Sequence, residues 1–191
     1  MLARLSEQKC AKHRLGHIAF VGQSLEQKLN TRRCVIFLFF AALPGFALAD
    51  GEVISPIGYG EIQFGAKLAE IETKLKQTAV PKKRAPDCDF VRFKKYPRIR
   101  FMVEDGVVTR ADAEIGIKNP AGVSIGMTIS QVKELHPNIR IKRHKYDENG
   151  HYLILPTEDN RAAIVFEEGH GKITNFHAGL QPAVEYVEGC L

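Results

Sequence analysis

Between residues 62 and 187 the apolar positions switch repeatedly between a spacing of two and a spacing of three to four. The first is the period of a strand with one buried face, the second that of a helix. Leu68, Ile71 and Leu75 share one helical face, which predicts a helix over about 68–76. Val132 and Leu135 mark a second helix, ended by Pro137. Thr128 and Gln131 have capping-box spacing, and Met127 with Val132 has staple spacing. Lys67 stands where the second helix has Thr128, so the first helix has the weaker start. Strands are predicted over 98–103 and 107–115, around the hairpin signal Glu104-Asp105-Gly106. Further strands are predicted over 138–146, 151–155, 161–166 and 172–178, with Asp147–Gly150 as a turn and 183–187 as a last short strand.

The pattern occurs twice. Ile62–Ile71 matches Val123–Val132 around Gly65 and Gly126, and Phe101–Thr109 matches Ile164–Thr174. Ala113 and Ala178 then correspond, in the same order and with little drift, as in a duplication. The expected fold class is α+β. Two similar units, 50–117 and 118–191, would each pack a helix on an antiparallel sheet of about three strands.

Gly65-Ala66-Lys67 and Gly126-Met127-Thr128, each leading a helix and followed by strand hairpins, carry a fold-level resemblance. Over about Ser55 to Ala178 the chain resembles the tandem β-lactamase-inhibitor protein and the small outer-membrane-assembly lipoproteins of the SmpA/OmlA type. The resemblance implies a helix-plus-sheet fold. No inhibitor contact residues match, so none are transferred. The cysteine that would anchor a lipoprotein is missing.

Residues 32–49 change the setting. Arg32-Arg33, an apolar run from Cys34 to Leu43 and Ala47-Leu48-Ala49 are the three parts of a secretory signal peptide. The run is shorter than the ~20 apolar residues of a membrane span. Residues 1–49 are therefore read as a signal peptide with an upstream extension. Translation from Leu29 would leave a signal of ordinary length. A periplasmic or secreted protein is expected, with no stable membrane anchor after cleavage.

That reading alters the charge. The whole chain has 27 Lys+Arg and 22 Asp+Glu; residues 1–49 hold seven and two of these, leaving 20 of each. The basic balance belongs to the leader, so nucleic acid is not an expected partner. Two of the four cysteines, Cys10 and Cys34, go with the leader. Cys88 and Cys190 remain, and in an oxidising compartment one disulfide is expected. It would close a loop of about a hundred residues, for which the chain-entropy model allows ~4–5 kcal/mol. Two free thiols are the alternative.

Candidate chemistry is sparse. Gly122-Val123-Ser124-Ile125-Gly126 matches a nucleophile-elbow pattern, but no apolar strand precedes it and the helix cap lies four residues later. His144 and His151, across the Asp147 turn, could face one another and bind a metal with Asp147. No catalytic residue, metal ligand or cofactor is assigned. Tyr96, Arg98 and Arg100 on one strand, and Arg140, Lys142 and Tyr146 on another, would form one basic, tyrosine-bearing sheet face if corresponding strands were neighbours. The function expected is non-catalytic binding that inhibits or assists an envelope or secreted protein, or binds a glycan. A small hydrolase or metal-dependent enzyme, and a carbohydrate-binding or structural envelope protein, are the alternatives.

Overall fold

The structure is a computed structural model that describes residues 53–190. The signal-peptide reading of 1–49 lies outside these residues. Over the described residues the fold is mixed α+β, with two helices, a three-stranded sheet and a seven-stranded antiparallel sheet. The small sheet holds β1 (Ile54–Ser55), β2 (Gly58–Tyr59) and β3 (Ile62–Gln63). Helix α1 (Leu68–Leu75) follows, then β4 (Cys88–Phe93), β5 (Tyr96–Glu104) and β6 (Val107–Ala113). Helix α2 (Ile129–Leu135) precedes β7 (Arg140–Arg143), β8 (His151–Pro156), β9 (Ala162–Gly169) and β10 (Lys172–Leu180). The large sheet runs β4-β5-β6-β10-β9-β8-β7.

Local chemistry explains the helix starts. Thr128 and Gln131 form the capping box, each side chain meeting the other residue's backbone N–H. Lys67 gives α1 no side-chain cap. Each helix is instead entered through a glycine with φ near +90°, Gly65 and Gly126, a region that a β-carbon disfavours. The Gly65 N–H donates to the Val108 carbonyl at 2.8 Å, and the Gly126 N–H to the Ile173 carbonyl at 2.8 Å. The returning bonds run from the Val108 N–H to Ala66 and from the Ile173 N–H to Met127. Both long hairpins turn through two left-handed residues, Asp105-Gly106 and His170-Gly171, the conformation that suits strand twist.

The register separates the two faces of the sheet. Ile99, Ala113, Phe176, Phe166, Leu153 and Ile141 pair in one row across six strands. That inner row joins Leu68, Ile71 and Val132 of the helices in the main core. The neighbouring row, Arg100, Asp112, His177, Val165, Ile154 and Arg140, faces the other way.

Two expectations are corrected. Residues 183–187 do not form a strand; Ala183–Glu185 is a 3₁₀ turn within a segment, 181–190, that crosses the outer face as a strap. The segment lies across the outer face rather than along either edge strand, so it packs on side chains. The edge strand β4 was not predicted, and residues 138–146 contribute only Arg140–Arg143 to the sheet.

Candidate functional site

The strap is held at both ends and in the middle. Cys190 is disulfide-bonded to Cys88 on β4, with Cα atoms 5.3 Å apart. At the other side Glu185 accepts from Arg140 and Lys142 of β7, and Glu188 accepts from Lys145 at 2.7 Å. Between them Val184 is fully buried against Tyr152, Ile154, Ala163 and Val165, a second small core on the outer face.

Charged groups lie buried under the strap. Arg110 donates through Nε to Asp112 and through Nη1 to the Tyr186 carbonyl, both at 2.7 Å. Arg100 donates to the other Asp112 oxygen at 2.7 Å. Burial opposes ionisation of Asp112. The Arg110 charge, the neighbouring His177 and the two arginine hydrogen bonds still hold its carboxyl below the usual range. His177 is pushed down to about 4, first by burial and then by Arg110. Its Nε2 donates to the Val184 carbonyl at 2.8 Å, since a carbonyl only accepts, which leaves Nδ1 as a bare acceptor. The Glu167 carboxylate stands 3.8 Å from that nitrogen, and burial raises its pKa. A cavity of about 160 Å³ opens between the strap and β7–β9, lined by Tyr152, Val165, Glu167, Tyr186 and Val187.

The residues expected to form one basic face are divided. β5 and β7 are separated by four strands, so Arg100 and Arg140 stand at opposite ends of one outer row. Arg98 lies next to Arg100's row, its carbonyl accepting the Glu114 N–H at 3.0 Å. Lys142 pairs with Tyr152 beside the strap. Tyr96, expected on this face, belongs to the core. Its ring meets Tyr59 edge-on at 5.2 Å, and its hydroxyl accepts the Glu61 N–H at 3.0 Å, so the ring is buried with its polar end satisfied. Tyr146 is 65% exposed at the tip between β7 and β8. Lys145 sits over its ring at 5.1 Å, with Arg143, His144 and Glu148 around the same cleft.

The other candidates are also placed. Ser124 lies exposed in a turn, where its N–H meets the Met127 sulfur. His144 stacks on Tyr152 at 4.5 Å and accepts the N–H groups of Tyr146 and Asp147. His151 instead pairs with Glu168 at 2.8 Å, so the two rings serve different partners. Among the described residues no three His, Cys, Asp or Glu side chains are grouped to hold a metal. No described helix is long and apolar enough to cross a membrane.

Sequence reasoning missed Arg110, Asp112, Glu167 and His177. Arg110 and Asp112, two apart in a strand otherwise made of Val, Ala and one Thr, were the available signal, since that spacing puts both on one face. Comparison with family models, curated proteins and solved structures finds no match to this chain.

Proposed function

We propose that this chain is an exported binding protein without catalytic activity, which inhibits or assists an envelope or secreted protein. The observation that carries this reading is the β7–β8 tip. A tyrosine two-thirds exposed, framed by Arg143, His144 and Lys145, offers aromatic and arginine contacts, the residue types that dominate binding hot spots. A structural disulfide is compatible with an oxidising compartment outside the cytoplasm.

We also infer two similar units, about 50–117 and 118–191, in a fold resembling the tandem inhibitor and SmpA/OmlA types. Support comes from the matched helix entries at Gly65 and Gly126 and from the matched left-handed hairpin turns. The last strand of each proposed unit, β6 and β10, meets the other at the sheet centre.

The test is affinity capture. Protein recovered from the periplasm of cells expressing the full sequence is immobilised and exposed to periplasmic extract. One partner retained in fixed ratio, and lost with Tyr146→Ala, is the expected result. No partner, together with turnover in a hydrolase substrate screen, would defeat the reading.

A further inference from the structure

The strap carries its carboxylates to one place. Glu185 bridges Arg140 and Lys142, with Gln181 also donating to it at 2.8 Å, and Glu188 meets Lys145. Burial would raise the Glu185 pKa, yet Lys142, Gln181 and Arg140 hold it below the usual range. Val184 and Val187, from the same short segment, pack on the outer-face core beside these pairs. An acidic, valine-bearing segment thus already occupies the basic strand.

The occupation is incomplete in charge and in space. Arg140 and Lys142 share one carboxylate, that of Glu185. Three cations, Arg140, Lys142 and Lys145, therefore meet two strap carboxylates. The cavity of about 160 Å³ remains beside the strap. The side chains of Arg140, Lys142 and Lys145 are about half exposed, so an incoming group can reach them.

We propose that β7 with Lys145 is the docking surface for an acidic segment of a protein partner, and that Glu185 and Glu188 occupy it in cis. This rests on the binding reading above and names the chemistry of the partner. The strap carboxylates act as an internal competitor. They keep the cations oriented while lowering their affinity for outside anions. Removing their charge leaves the strap in place, because its disulfide, its buried Val184 and the Arg110 and His177 bonds do not depend on them.

The experiment uses a fluorescein-labelled hexaglutamate peptide and the full chain at low salt. Glu185→Gln/Glu188→Gln should bind it at least about fivefold more tightly than the parent, in keeping with modest exposed ion pairs. Adding Lys142→Glu should return the affinity to the parent's or below, and high salt should abolish binding. Glu70→Gln/Glu134→Gln changes the net charge equally on exposed helix positions and should leave binding at the parent's level. A far-UV spectrum and an intact disulfide establish that each variant is folded. Equal binding by parent and strap variant would overturn the proposal, as would a gain in the helix control or indifference to Lys142→Glu. A partner captured through Tyr146 with no such charge effect would sink this inference and leave the binding reading standing.

Discussion

The two faces of the seven-stranded sheet are built from the same strands and differ in almost every other respect. The inner row from Ile99 to Ile141 is apolar throughout and meets both helices. The outer row begins at Arg100, passes Asp112 and His177, and ends at Arg140. One covers itself with helices whose apolar stripes match it. The other is covered by a ten-residue strap held by a disulfide, a buried valine and two carbonyl contacts, with ion pairs along one side. Burial gives the inner face its stability without direction. The outer face gains little from area and depends on placed polar contacts, each of which can fail singly.

The comparison can be broken at its strongest point first. Phe166→Ala, in the middle of the inner row, should cost about 3–5 kcal/mol in denaturant unfolding. A loss below about 1 kcal/mol would mean that the inner face is not the main source of stability. Cys190→Ser should cost about 2–5 kcal/mol, since the disulfide spans a sequence separation of 102. Hydrogen exchange should rise in 181–190 while β9 and β10 stay protected. Rapid exchange in β9 as well would show that strap and sheet fold as one unit.

Acid should loosen the outer face selectively. His177 is held neutral, with its pKa at about 4 against an ordinary 6.5. The unfolded chain therefore takes up the proton first as pH falls. The contribution is present above pH 6.5 and is lost between about 6.5 and 4, up to ~3 kcal/mol. Glu167 works the other way, because its raised pKa makes acid favour the folded form and offsets part of the loss. His177→Gln should flatten the stability profile between these pH values; an unchanged profile would show that His177 is not the group responsible. The smallest effect is local to the inner side. Thr128→Ala removes the cap of α2 and should cost about 1 kcal/mol, whereas Lys67→Ala, at the uncapped start of α1, should change thermal stability very little.

Much of the inner face was legible in the sequence, and little of the outer face was. Leu68, Ile71 and Val132 announce their helices through spacing, and Thr128 with Gln131 announces a cap, because these interactions close within a few residues. Asp105-Gly106 marks its hairpin for the same reason. Arg110 and His177 lie 67 positions apart, and only the pairing of β6 with β10 brings them under one strap. The alternation of Ala183 to Val187 resembles a strand, but the segment crosses the outer face and buries Val184 there, so tertiary context overrides local pattern. Arg100, Arg140 and Lys142 lie exposed, Arg98 is half-buried and Tyr96 is buried. Their separation followed from sheet order, which periodicity does not encode.

The central claim is that the basic end of the outer face, with Tyr146 at its tip, is where this protein meets a partner. Photo-crosslinking from position 146 tests it most directly, with a benzoylphenylalanine placed there and, as a control, at Leu135, which is half exposed on α2. The account predicts one discrete adduct with an envelope or secreted protein from position 146 and none from 135. No adduct from 146, or the same set of adducts from both positions, would contradict it.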